Sequence, residues 1–219
     1  MELLTAPRNL RQAALASALT TTASLPRLLL WSGSPYPIWF TATVVALTSA
    51  VMWAFVLAWE ERKLGRAPFA LPSDQRLWLA ATGFALAAVM FRSLVLDPAL
   101  YSRGLAERPQ TTSQWLAGGL FQLAYLQLFL LFAPVAVCSR LVRDRSVAFV
   151  LVVALGLYVS WRTLQRSGAD VTGALALEVL LARAIGDAAA VWFYQRGGVF
   201  IVWWIAALVH LRHLGVLLR

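Results

Sequence analysis

Residues Ile38–Trp59 read IWFTATVVALTSAVMWAFVLAW and contain no charged residue. An α-helix needs about 20 mostly apolar residues to cross the roughly 30 Å hydrocarbon layer of a bilayer. This stretch therefore predicts a membrane-spanning helix. No ten-residue segment of the chain alternates polar and apolar residues as a membrane β-barrel requires, so strands are not expected.

Five further apolar stretches follow along the chain. They are Leu77–Leu96, Trp115–Cys138, Val147–Trp161, Gly173–Tyr194 and Gly198–Leu218. The tightest connection is Arg196-Gly197-Gly198, which predicts that the last two helices form an antiparallel hairpin. We therefore predict an all-α fold, a polytopic transmembrane helix bundle with six spans over residues 38–219.

Residues 1–37 form a separate N-terminal segment with two interpretations. Its apolar run is interrupted by Thr20-Thr21-Thr22 and no cleavage site follows, which excludes a secretory signal peptide. The stretch Leu10–Trp31 predicts an amphipathic helix, with Pro26 as the place where it would break. This helix either lies in the interface or enters the membrane as a seventh span.

Composition excludes the other protein classes. Of the 219 residues, 60% are hydrophobic and only 13% are charged, whereas a soluble domain carries about 25% charged residues. The single cysteine, Cys138, excludes a disulfide scaffold. The high apolar and aromatic content excludes disorder.

The net charge of +9 comes from basic residues whose distribution predicts the orientation of the chain in the membrane. Basic residues concentrate in the turns after the first, third and fifth predicted spans: Arg62, Lys63, Arg66, Arg76, Arg140, Arg143, Arg145 and Arg196. The positive-inside rule predicts that these turns are cytoplasmic, in a bacterial-type inner membrane. A seventh, N-terminal span would place Arg8 and Arg11 on the same side. The lipid bilayer accounts for the basic excess, so no nucleic-acid partner is predicted.

Charged residues inside the spans are candidate functional groups, because an ionisable side chain at the bilayer centre costs about 2.5–3.5 kcal/mol. Arg183 and Asp187 are four residues apart and can pair on one helical face. Glu178 lies about 140° away around that helix and needs another partner, for which Arg92 and Arg162 are candidates. These five residues form either a polar clamp inside the bundle or a substrate or proton site. A third possibility is that Glu178 simply lies near the interface.

His210 and His213 are the candidate cofactor ligands, since they lie three residues apart on the last span. Two imidazoles at that spacing could share a metal. The chain has no third histidine, however, so no metal site is predicted. A bis-histidine haem needs ligands from facing helices, and the two residues can instead interact with helix-end carbonyls or headgroups. Haem or another pigment is left open.

The second half of the chain resembles the CPBP family, the intramembrane proteases related to the CAAX prenyl proteases. The similarity rests on helix order: Arg140 ends the third span, residues 158–162 end the fourth, and the glycine-containing hairpin 186–210 follows. In that family Glu-Glu-x-x-x-Arg, Phe-x-x-x-His and His-x-x-x-Asn helices build a site whose first carboxylate and histidines activate water. The resemblance implies a helical bundle with such a site.

The catalytic residues of that family do not match at the corresponding positions. The two glutamates fall on Val135 and Ala136, Arg162 replaces a histidine, and Leu214 stands where asparagine is expected. Placing the first motif at Glu60-Glu61 instead leaves Arg66 one residue too late. Without the glutamates the site lacks its general base, which predicts a member that has lost proteolysis.

Three functions follow from these features. The favoured one is a non-catalytic integral membrane protein, a subunit or scaffold of a larger inner-membrane complex that binds other membrane subunits. Small-residue stretches such as Gly118-Gly119 and 188–190 suit the close helix contacts it needs. The alternatives are a divergent CPBP-type protease that uses Glu178 and His210, and a small transporter that uses the charged fifth span.

Overall fold

The computed structural model describes residues 6–30, 36–65, 69–105, 109–142, 144–166 and 172–214. All regular secondary structure within these ranges is helical, which confirms the predicted all-α class. The α-helices are α1 (Pro7–Leu29), α2 (Ile38–Trp59), α3 (Gln75–Phe91), α4 (Asp97–Tyr101), α5 (Thr112–Phe121), α6 (Ala133–Leu141), α7 (Arg145–Arg166) and α8 (Gly173–Leu211).

Four π-helical segments extend or join these helices. They are Glu60–Leu64 after α2, Arg92–Leu96 between α3 and α4, and Gln122–Leu126 and Leu128–Phe132 between α5 and α6. Within the described ranges, four continuous helical stretches are long and apolar enough to cross a membrane. They are Ile38–Arg62, Gln75–Tyr101, Thr112–Leu141 and Arg145–Arg166. They coincide with the first four predicted spans and support the membrane-protein class.

The fifth and sixth predicted spans are the two arms of α8 and are not among those four stretches. The helix breaks at Gly198, whose φ of 72° and ψ of −163° suit glycine. We call residues 173–197 the first arm and residues 199–211 the second arm. The first arm carries several charges and the second arm is short, which explains why neither resembles an ordinary span. Leu218, the predicted end of the sixth span, lies outside the described residues, as do Trp31, Arg66 and Arg143.

The two arms of α8 form the predicted antiparallel hairpin. The ring of Phe132 lies 4.9 Å from Tyr194 in the first arm and 6.4 Å from Trp203 in the second arm, measured between centroids. On another side, α3 packs along both arms. Its Ala81 and Ala85 belong to one buried cluster with residues of each arm, which are Phe193, Ile201, Ile205 and Val209.

Helix α1 packs lengthwise against α2 in the antiparallel direction. Asn9 at the start of α1 donates a 3.1 Å hydrogen bond to Glu61 beyond the end of α2, while Ser17 contacts Ser49, about one helical turn before Trp53. The α1 helix continues through Pro26, so the break expected at that residue does not occur. Membrane helices tolerate proline where neighbouring groups satisfy the backbone.

The face of α1 that meets the bundle consists largely of small and polar side chains. Its buried residues are Asn9, Ala13, Ala16, Ser17, Thr20, Ser24 and Leu28. The opposite face exposes Leu15 and Leu19. Small residues let two helices approach closely, so α1 is an integral part of the bundle and not a helix lying apart from it.

Candidate functional site

The predicted ion pair within the first arm of α8 is formed. Arg183 Nε donates to Asp187 Oδ2 at 2.7 Å, across one helical turn. The pair lies against α7 at Gly156, where an added Cβ would overlap the Asp187 carboxylate. The absence of a side chain at Gly156 therefore makes room for this ion pair between the two helices.

A second ion pair, not predicted from the sequence, joins distant parts of the chain. Arg212 Nε donates to Asp97 Oδ2 at 2.8 Å, and both side chains are about nine-tenths buried. Arg212 Nη1 also donates to the carbonyl of Val209 at 2.8 Å. The pair fastens the end of α8 to the first residue of α4. The two residues are 115 positions apart, so no local spacing could indicate it.

Arg92 interacts electrostatically with members of both ion pairs, with Arg212 and Asp97 of one and with Arg183 of the other. The Nε atom is fully buried and makes no hydrogen bond with any described residue. Arg92 is one of the two candidate partners predicted for Glu178, and no described hydrogen bond or ion pair joins the two residues. We call Arg92, Asp97, Arg183, Asp187 and Arg212 the arginine cluster.

Glu178 and Arg162 do not join the arginine cluster, so the structure does not bring these two residues together with Arg92, Arg183 and Asp187. The Arg162 side chain is exposed near the end of α7 and donates a 3.5 Å hydrogen bond to Gln165. Glu178 is exposed on the outer face of the first arm, beside Leu177 and Leu181. The rotation between Glu178 and Arg183 around the helix accounts for this separation.

The two candidate cofactor ligands have separate protein partners. His210 Nε2 makes a 2.9 Å hydrogen bond with the Trp115 carbonyl, and the two rings stack with centroids 5.4 Å apart. His213 Nδ1 makes a 3.2 Å hydrogen bond with the Tyr101 hydroxyl. Within the described ranges, no three His, Cys, Asp or Glu side chains group as metal ligands would.

Close packing fixes the position of the His210 ring. An added Cβ at Gly119 would lie 2.7 Å from both Cδ2 and Nε2 of that ring. Gly118-Gly119, which the sequence analysis selected as a close-contact motif, thus meets a histidine. His210 is also separate from Glu178, its proposed catalytic partner, because no described hydrogen bond or ion pair joins them.

The residues at the positions compared with the CPBP motifs have contacts within the bundle. Val135 and Ala136, where that family has glutamates, are buried apolar residues. The Arg140 guanidinium lies 5.7 Å from the centre of the Phe55 ring. At the alternative placement, Glu60 is buried and Glu61 accepts the hydrogen bond from Asn9.

No protein-family model, no curated protein and no solved structure matches this chain. Of the residues in the arginine cluster, the sequence analysis selected Arg92, Arg183 and Asp187 and missed Asp97 and Arg212. The only available signal for Asp97 was an acidic residue next to Pro98 at the end of an apolar stretch.

Proposed function

We propose that this protein is a non-catalytic subunit or scaffold of a larger complex in a bacterial-type inner membrane. The observation that carries the proposal is Glu178, a carboxylate exposed on the outer face of the first arm of α8. Its exposed neighbours Leu177, Leu181 and Ile185 form an apolar surface around it. No described residue offers Glu178 a hydrogen bond or an ion pair.

The contrast with Asp187 on the same arm explains why Glu178 supports an intermolecular contact. Asp187 has Arg183 as its partner inside the bundle, whereas Glu178 faces outward. A carboxylate directed at hydrocarbon is unfavourable, at a cost that reaches about 2.5–3.5 kcal/mol at the bilayer centre and is smaller toward the helix start, where Glu178 lies five residues after Gly173. A polar or basic group on a neighbouring subunit would remove that cost, and Leu177 and Leu181 would pack beside it.

We also propose that the chain crosses the membrane seven times. The four apolar stretches, the two arms of α8 and helix α1 make up these crossings. The antiparallel packing of α1 along α2 supports the α1 crossing, since a helix beside a span shares its direction. In this topology Arg8 and Arg11 lie on the same side as Arg62, in agreement with the positive-inside rule.

The two alternative functions have weaker support. A CPBP-type protease would need Glu178 and His210 to act together, and His210 is instead engaged by Trp115. A transporter would need the Arg183–Asp187 pair to open toward a substrate path. That pair is packed against Gly156 of α7, which favours a structural role.

The test is native mass spectrometry of the full chain after gentle solubilisation from its own membrane. We expect a complex of defined stoichiometry for the wild type and its loss for Glu178→Leu. The matched control is Leu79→Ala on α3, an exposed leucine outside this surface, which should retain the complex. A wild-type protein found only as a lone monomer would contradict the proposal.

A further inference from the structure

Arg92 has no hydrogen-bond or ion-pair partner of its own among the described residues, which points to a ligand. Its Nε is fully buried. Buried charges in proteins are ordinarily paired, because removing an ion from water without a partner is costly. The other two arginines of the arginine cluster have partners, since Arg183 pairs with Asp187 and Arg212 with Asp97.

The charge balance of the arginine cluster specifies the sign and size of the missing charge. Three guanidinium groups face two carboxylates, and both carboxylates are already engaged. One positive charge is therefore left over, and it is located at Arg92, with Arg183 and Arg212 as like-charged neighbours. A single negative charge placed at Arg92 would neutralise the cluster.

The Arg92 side chain is partly accessible to such an anion. Its Nε is fully buried, but the residue as a whole is half-buried. On the same helix, Met90, Leu94 and Val95 are exposed apolar side chains. Of these, Val95 is three residues from Arg92 and lies on the same side of the helix, so an anion bound at the guanidinium could place an apolar part along Val95.

We propose that the arginine cluster is a binding site for a phosphate oxyanion, with Arg92 as its principal ligand. The planar guanidinium donates two parallel hydrogen bonds to phosphate oxygens, a geometry that lysine does not offer. A singly charged phosphodiester matches the one excess positive charge. That chemistry is supplied either by the headgroup of an anionic phospholipid or by free phosphate.

The experiment titrates three probes into the purified full-length protein in mild detergent. The probes are phosphatidylglycerol, phosphatidylcholine and inorganic phosphate, and bound ligand is counted by native mass spectrometry. We expect phosphatidylglycerol to bind and Arg92→Gln to weaken that binding at least about tenfold, because charge-assisted hydrogen bonds are lost. The matched control Arg162→Gln removes an exposed arginine outside the cluster and should bind as the wild type does.

The three probes also distinguish the source of the anion. Binding of phosphatidylglycerol without competition by inorganic phosphate assigns the site to a lipid headgroup, and full competition assigns it to free phosphate. Equal binding by the wild type and Arg92→Gln would overturn the proposal, as would a wild type that binds none of the probes. If Arg92→Gln does not fold, Arg92→Lys serves instead. That variant keeps the charge but loses the paired hydrogen bonds, so weakened phosphatidylglycerol binding is still expected, and unchanged binding would overturn the proposal.

Discussion

Two regions of the bundle bury polar groups of different chemistry. One is the contact between α1 and α2, and the other is the contact of α8 with α3, α4 and α7. Along the middle of the α1–α2 contact the groups are neutral: the Ser17 and Ser49 hydroxyls hydrogen-bond at 2.9 Å, and the Trp53 indole N–H donates to Thr20 Oγ1 at 2.9 Å. Around α8 they are charged. Removing one partner of a buried neutral hydrogen bond lowers the free energy of unfolding by about 1–3 kcal/mol. Removing one partner of a buried ion pair lowers it by about 3–5 kcal/mol.

The neutral and the charged contacts also differ in what they contribute to the bundle. A hydroxyl contact such as that of Ser17 holds two helices together and leaves no charge over. The arginine cluster holds helices together and, at Arg92, retains a positive charge that can attract a ligand. We therefore expect α1 and α2 to contribute mainly to stability, and the region around α8 to contribute to binding as well.

The largest expected effect comes from breaking the Arg212–Asp97 pair. Asp97→Ala leaves the Arg212 guanidinium buried without its carboxylate, which should lower the free energy of unfolding by about 3–5 kcal/mol. The measurement is denaturant unfolding in mixed micelles, followed by circular dichroism. The double variant Asp97→Ala/Arg212→Met removes both charges and should regain much of the lost stability. A double variant that is no more stable than Asp97→Ala would show that the charge is not the cause.

An intermediate effect is expected where α7 meets the Arg183–Asp187 pair. Gly156→Ala places a methyl group where the Asp187 carboxylate now lies, so the pair must shift, at a cost of about 1–3 kcal/mol. The matched control is Gly83→Ala in α3, where the new methyl group meets no other atom and helix propensity alone applies. Thermal unfolding of both variants in the same detergent tests the difference. Equal melting temperatures would contradict the packing assigned to Gly156.

The contrast also explains how much the sequence could predict. The first four spans and the Arg183–Asp187 pair depend on spacing along a single helix, and the sequence contains that information directly. The hairpin of α8 could be predicted for the same reason, because Gly197-Gly198 is a local turn signal. Asp97 and Arg212 meet only after α3, α4 and α8 have packed together, so their pairing depends on the tertiary fold.

The N-terminal helix illustrates a second limit. Its serines and threonines lower its apparent hydrophobicity, so composition alone left open whether it lies in the interface or in the bundle. Several of these hydroxyls are satisfied internally; Ser24, for example, donates to the Thr20 carbonyl at 2.7 Å. A helix whose polar groups are satisfied by its own backbone and by a neighbour can enter an apolar bundle. The hydrogen bonds to the neighbouring helix α2 cannot be predicted from the sequence of α1 alone.

The smallest expected effect tests the neutral contact between α1 and α2. Thr20→Val keeps the shape of the side chain but removes the acceptor for the Trp53 indole N–H, which is buried. The unsatisfied donor should cost about 1–2 kcal/mol of unfolding free energy. The control is Thr43→Val, whose exposed hydroxyl donates only to the Trp39 carbonyl of its own helix and should change stability by less than about 0.5 kcal/mol. If Thr20→Val cost as much as Asp97→Ala, the distinction between neutral and charged contacts would fail. If Thr20→Val lowered the unfolding free energy as little as Thr43→Val, the Trp53–Thr20 hydrogen bond would not contribute to holding α1 against α2.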